Sequence, residues 1–313
     1  IRDRGDKLQS TLPHYAYLRI ADGCSNKCSY CAIPLIRGKM RSRKMENIIE
    51  EAKKFAENGV KELVIVAQDV TAYGIDLYKK YALPDLLKEL CKIDGIKWIR
   101  LLYCYPERMT DELIETIKTE DKVLNYIDIP IQHCNKEILR NMYRGGDEQS
   151  LRELFAKLRR EIPGVVLRTT LITGFPGETE EQFSELAEFV NDIKFERLGC
   201  FAYSAEEDTP AAEMPDQVDE GERQRRADII TSEQEIRMGE YYAGMVGNTY
   251  EVVCEGFDRY SDMYFGRSMH FAPEIDGMIY FTSAKDKGSL TIGDFVNVKI
   301  TDVLENNLLG ERV

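Results

Sequence analysis

The sequence predicts an α/β chain in two parts: an open, partial TIM-like (β/α)6 barrel, followed by a small all-β barrel of OB-like character. Three observations predict it. Between Tyr15 and Ala202, strand-like and helix-like segments alternate, the order that builds a parallel sheet with helices on its outer face. After Gly244 the alternation stops and short strands with Gly and Asp turns take over. At 313 residues the chain is long enough for two cores.

In chain order, Ile1–Pro13 is polar and ends in Pro, which reads as a linker. Tyr15–Ile20 is a short apolar strand. Lys44–Asn58 has helical spacing in Ile48, Ile49, Ala52, Phe55 and Ala56, and stops at Asn58-Gly59. Strands follow at Glu62–Ala67, Trp98–Tyr103, Tyr126–Ile129, Val165–Thr173 and Arg197–Ala202. Between them lie helices at Pro84–Lys92, Asp111–Lys118, Lys136–Met142, Ser150–Glu161 and Thr179–Ile193. Six such units are too few for a complete eight-fold barrel. Asp219–Tyr242 reads as a long charged helix with a thin apolar side. Thr249–Gly256, Met263–Arg267, Met278–Thr282 and Asp294–Val303 read as the short strands of the second domain. The expected boundaries are therefore 1–13 linker, 14–245 first domain and 246–313 second domain.

Hydrophobic content of 43% and charged content of 31% are those of an ordinary globular protein. No apolar run approaches the ~20 residues of a membrane helix, and Ile1–Asp6 has no apolar signal core. The net charge of −13 argues against a duplex-binding surface and for a basic partner. Of eight cysteines, three fall within eight residues and five (Cys91, Cys104, Cys134, Cys200, Cys254) are scattered. That distribution is not a secreted disulfide framework; it reads as a cytoplasmic protein with one metal site.

The three clustered cysteines carry the chemistry. Gly23-Cys24-Ser25-Asn26-Lys27-Cys28-Ser29-Tyr30-Cys31 has the spacing C-x3-C-x2-C, in the loop after the first strand. Structural zinc asks for four ligands, usually in paired C-x2-C arrangements. Thiolates also hold iron–sulfur clusters, and three of them on four irons leave one iron open to a substrate. The alternative is zinc with a distant fourth ligand, or no metal at all. The strand-end position favours the cluster, because barrel active sites sit there. Other polar groups follow strand ends: Gln68-Asp69 after the second, Gln132-His133 after the fourth. Gly174-Phe175-Pro176-Gly177 makes a tight turn before a helix capped by Thr179 and Gln182.

On these residues the chain resembles the radical S-adenosylmethionine (SAM) superfamily, whose motif is C-x3-C-x-Φ-C; Tyr30 fills the aromatic position. The resemblance implies a [4Fe–4S] cluster on Cys24, Cys28 and Cys31, with SAM chelating the open iron. It also implies cofactor contacts from Tyr30, Gln68, Gln132, Gly174 and Phe175, the last two lying in a turn that packs on adenine. Arg144 and Arg168 are candidate partners of the SAM carboxylate, given the bidentate geometry of Arg. His133 is expected to act as a hydrogen-bonding support rather than a general base.

Gly23–Arg43 further resembles the methylthiotransferase family, with Ile33-Pro34, Arg37-Gly38 and Ser42-Arg43 in its I-P-x-x-R-G-x-x-x-S-R run. The second domain resembles a TRAM domain. Asp128–His133, Tyr203-Ser204, Thr209–Ala211, Met214–Val218 and Ala272–Gly277 resemble the RimO type, which acts on a ribosomal protein, rather than the MiaB type, which acts on tRNA adenosine. The implied reaction adds a methylthio group to the β-carbon of an aspartate in a small-subunit ribosomal protein, with an electron donor as second partner. Charge agrees: Met245–Val313 holds eleven Asp/Glu and six Lys/Arg, which suits docking on a basic protein and makes tRNA an ill-matched partner. Family members also carry an N-terminal domain with a second cluster. No cysteine precedes Cys24 and the first residue is Ile, so the expectation is a piece lacking that domain and unable to finish sulfur insertion alone. The competing readings are a tRNA methylthiotransferase and a non-catalytic metal- or nucleic-acid-binding module.

Overall fold

The computed structural model describes residues 11–313, so the expected linker at 1–13 lies largely outside the described residues. Six strands form one sheet: β1 (Tyr15–Arg19), β2 (Glu62–Val66), β3 (Trp98–Leu101), β4 (Val123–Asp128), β5 (Val166–Thr173) and β6 (Arg197–Ala202). They pair in sequence order, every neighbour parallel, and β1 does not meet β6. This is the open six-strand barrel expected from the alternation of elements. Strand alternation divides the two faces. In β2, Leu63 and Ile65 join the core beneath the helices, while Val64 and Val66 face the lumen.

The outer layer is α1 (Met45–Glu57), α2 (Leu83–Cys91), α3 (Asp111–Thr119), α4 (Glu148–Glu161) and α5 (Glu180–Ile193). Helix starts follow local chemistry. Thr179 accepts from the Gln182 backbone while Gln182 caps Thr179 in return, and Asp147 and Ser150 do the same for α4. In α5, Phe183, Leu186, Phe189 and Val190 make one buried stripe. The long helix α6 (Glu220–Met245) packs along β6 and continues to the second barrel. Among the described residues no helix is long and apolar enough to cross a membrane.

The second barrel contains β7 (Thr249–Asp258), β8 (Met263–Arg267), β9 (Ile279–Thr282), β10 (Phe295–Leu304) and β11 (Asn307–Arg312), closed in the order β8-β9-β11-β10-β7. Sequence reasoning missed β11. Its apolar run is only Leu308-Leu309, broken by Gly310 and followed by two charges. Gly310 is required there, since a Cβ would sit 2.5 Å from Val298 Cγ1 and 2.7 Å from the Lys299 carbonyl oxygen.

The second barrel seals the floor of the first. Tyr15, Val64, Trp98, Leu124, Tyr126 and Val166 fill the lower lumen and share a core with Val253 and Ala272. Trp98 meets Phe295 edge-on, ring centroids 4.9 Å apart. Charged groups cross the same boundary. Glu62 accepts from Arg100 Nε at 2.7 Å and Arg267 Nη2 at 2.8 Å; Arg267 Nε also reaches Glu255 at 2.8 Å, which meets His14 Nε2 at 2.9 Å. Arg100 and Arg267 donate onward to the carbonyls of Met269 and Phe271. The Tyr15 and Tyr126 hydroxyls donate to Glu274 and Asp276 at 2.7 Å each.

Burial opposes ionisation of Glu62, yet the Arg267 and Arg100 guanidiniums prevail and hold its carboxyl at about 2, below an ordinary 4.5. A depressed carboxyl contributes stability that is fully present above its unfolded value and is lost as pH falls through the folded one. Urea titrations should therefore show this contribution fading between pH 4.5 and about 2. At neutral pH, Glu62→Gln should cost about 3–5 kcal/mol, because it leaves two buried guanidiniums short of a counter-charge. It should also flatten the acid dependence.

Candidate active site

The cysteines lie on a loop at the C-terminal ends of the strands. A two-residue ladder of Ala21–Asp22 with Arg41–Ser42 closes its base. Gly23, at φ +73°, has no room for a Cβ, which would lie 2.5 Å from the Lys39 carbonyl oxygen. The loop is tied at its centre as well. Ser29 N–H and Oγ donate to the carbonyls of Met142 and Asn141, and the Ser29 carbonyl accepts from Ala211 N–H at 2.9 Å.

All eight cysteines are free thiols. Burial pushes the Cys24 and Cys31 thiols up, against the pull of backbone N–H groups from Asn26 and Ile33. Cys28 instead faces the Tyr105 hydroxyl, Sγ to Oη 3.9 Å. Cys24, Cys28 and Cys31 line a single cavity of about 210 Å³ at the barrel mouth. No three metal-binding side chains among the described residues converge on one ion. Donor type, sulfur-directed N–H groups and a walled cavity thus fit a [4Fe–4S] cluster.

Tyr30, Gln68, Gln132 and Arg144 also line the cavity. Arg144 is buried; its Nη2 donates to the Pro130 carbonyl at 2.8 Å and its Nη1 lies 3.5 Å from Tyr30 Oη. Gln132 holds φ +71°, with its N–H on the Thr170 carbonyl and its own carbonyl accepting from Ile172 N–H. The lining contains no carboxylate, histidine or lysine.

Three of the expected contacts do not line this cavity. Arg168 points into the lumen but pairs with Asp128 at 2.8 Å, one layer beneath the Thr170 that lines the cavity. Phe175 is fully buried and packs edge-on against Tyr203, centroids 5.5 Å apart, in a satellite core. Gly174, at φ +68°, is pressed against α6: a Cβ would lie 2.4 Å from Arg223 Cγ. His133 is buried. Its Nδ1 accepts from Asn135 N–H at 2.9 Å, and its Nε2 is 3.6 Å from Glu178, which also holds Gly174 N–H and Arg226.

Sequence reasoning missed Tyr103, Tyr105, Arg108 and Asn26. Tyr103, at φ +63°, lines the cavity, and its N–H donates to Asp128 Oδ2 at 2.9 Å. Arg108 reaches Asp69 at 2.5 Å and Asn26 Oδ1 at 2.8 Å, and Asn26 donates to Asp69 at 3.0 Å, so the cysteine loop is braced to the ends of β2 and β3. The available signal was the rule already applied after β2 and β4: polar and aromatic residues following β3, here Tyr105-Pro106-Glu107-Arg108, face the same mouth.

With this geometry, comparison with known proteins is direct. The family model "Radical SAM superfamily" matches residues 18–190 and a TRAM domain model matches 246–313. The fold also matches the radical SAM methyltransferase TsrM of Kitasatospora setae, with TM-score 0.53 and 16% identity over 63% of this chain and 38% of that one. It matches SuiB of Streptococcus suis bound to its precursor peptide, with TM-score 0.50 and 16% identity over 72% and 47%. The chain belongs to the radical SAM superfamily, and its core uses a [4Fe–4S] cluster and SAM by that membership. Much nearer relatives carry the name ribosomal protein uS12 methylthiotransferase RimO. That of Clostridium botulinum is 50% identical over 98% of this chain and 68% of its own length. That of Caldanaerobacter subterraneus is 50% identical over 99% and 70%. Within the superfamily, the chain is a member of this RimO methylthiotransferase family.

The Gly174 turn offers a structural test. Gly174→Ala adds a Cβ at positive φ against the stem of Arg223, not its flexible end. It should cost about 1–3 kcal/mol in urea unfolding. Gly177→Ala, at φ +82° with open space around it, should carry only the backbone part of that loss.

Proposed function

We propose that this chain adds a methylthio group to the β-carbon of an aspartate in ribosomal protein uS12. The observation that carries this is the near-complete alignment with RimO relatives at about half identity, on a chain whose three thiols share the barrel mouth. We assign Cys24, Cys28 and Cys31 as cluster ligands, and Tyr30, Gln68, Gln132 and Arg144 as contacts of SAM.

The cluster and SAM together supply one-electron chemistry that removes hydrogen from an unactivated carbon. The protein's part is to bind, orient and shield. A β-C–H bond of aspartate has no acidity that a side-chain base reaches, and the cavity lining offers none. Arg144 brings a buried cation to a wall otherwise made of Tyr30, Tyr105 and Pro130, suited to a carboxylate. Gln68 and Gln132 supply uncharged hydrogen bonds. Ile33, Pro34 and the tyrosines exclude water from the reacting atoms.

We place domain limits at 14–245 and 246–313, and docking of the basic ribosomal protein on the second barrel. Glu255 and Asp276 are consumed at the floor, but Asp262, Asp302, Glu305 and Glu311 are exposed and keep that surface acidic. A separate electron donor and a cytoplasmic location go with this reading. A second cluster finds no evident ligand set here, since the remaining cysteines sit singly on separate elements.

Anaerobic reconstitution should give about four irons per chain and a brown protein. Cys28→Ala should lose that iron; zinc in its place would overturn the cluster. The native enzyme containing this chain should modify uS12, seen by mass spectrometry of the tryptic peptide. Modification of tRNA adenosine with uS12 untouched would favour the RNA enzyme instead.

A further inference from the structure

The three sulfurs are not equivalent. Cys24 and Cys31 each meet a backbone N–H two residues ahead. The surroundings of Cys28 are made of side chains. The Tyr105 hydroxyl lies 3.9 Å from its sulfur and has no other hydrogen-bond partner among the described contacts. Tyr30 lines the same cavity, with its Oη turned to Arg144.

Both rings are fixed. The Arg144 guanidinium lies 4.1 Å from the centroid of the Tyr105 ring, and that of Arg108 lies 4.6 Å from it. Arg144 also approaches Tyr30 Oη at 3.5 Å. Arg108 is itself held by Asp69 and Asn26, and Arg144 by the Pro130 carbonyl. A thiolate only accepts, so on a ligating Cys28 the Tyr105 phenol must be the donor.

We infer that Tyr105 donates a hydrogen bond to Cys28 and thereby raises the reduction potential of the cluster. This rests on the reading of the three cysteines as cluster ligands. The physical link is charge. One-electron reduction adds negative charge to cluster and sulfurs, and hydrogen bonds to sulfur stabilise the reduced form more than the oxidised one. The Arg144 cation nearby acts in the same direction. Tyr105 is thus a positioning and tuning residue.

The test is the midpoint potential of the reconstituted protein, without SAM, by redox titration followed by electron paramagnetic resonance. Tyr105→Phe removes only the hydroxyl and keeps the ring. It should shift the midpoint to more negative values. Tyr103→Phe, a phenol of the same cavity, should leave it unmoved. Iron content is measured first: a wild-type protein without about four irons overturns the cluster reading itself. Full iron with an unmoved potential in Tyr105→Phe overturns the tuning alone. Should Tyr105→Phe fail to take up iron, the unaltered protein exchanged into deuterium oxide still decides. Pulsed resonance on its reduced cluster should find an exchangeable deuteron coupled through Cys28, and its absence contradicts the inference.

Discussion

Glu62 stands buried between two guanidiniums. Its carboxylate, at the start of β2, meets Arg100 from the neighbouring strand and Arg267 from the second barrel. All three side chains are about 1% exposed or less. Such a set adds little net stability over apolar residues of the same shape, because desolvation offsets most of the attraction. Its effect is on geometry: each guanidinium must find its carboxylate, so the barrels dock in one register. The apolar contacts around it, Trp98 on Phe295 and Val253 among the lower lumen residues, contribute the hydrophobic part of the docking. The second barrel is therefore the floor of the first, and the lumen is filled from below.

From floor to mouth the lumen is linked by polar pairs. Asp276 of the second barrel holds the Tyr126 hydroxyl. Above it, Arg168 pairs with Asp128, and Asp128 holds the Tyr103 backbone N–H. Tyr103 and Gln132, at the ends of neighbouring strands, both adopt left-handed backbone conformations that non-glycine residues avoid. Strain of that kind persists only where the surroundings over-determine it, and here Asp128, Thr170 and Ile172 supply the restraint. The cysteine loop is tied as firmly, through Ser29 to two other segments. The mouth is thus organised in advance, as a site must be when its reacting species cannot tolerate water.

Much of this was legible in the residues. The alternation of elements located all six barrel strands, β6 to the residue, and the C-x3-C-x2-C loop identified the mouth. What escaped has physical causes. Strand position tells that Arg168 faces inward but not at what height, and one residue pair along β5 separates the cavity wall from the layer below. The Gly174 segment reads as a tight turn before a helix, but its residues do not tell that α6, distant in sequence, closes over it with Arg223. Phe175 follows that turn into a core made with Tyr203 and Ala211, which only tertiary contact defines. Tyr105 and Arg108 carry no motif; their role appears only when the end of β3 is set beside the cysteine loop.

The central claim is that the two barrels form a single cooperative body. The chain holds one tryptophan, Trp98, at the boundary between them, so its fluorescence reports the docking itself. Equilibrium unfolding in urea should give the same midpoint by Trp98 fluorescence and by far-ultraviolet circular dichroism. A fluorescence transition at lower urea, with the dichroism of the parallel barrel still intact, would contradict it.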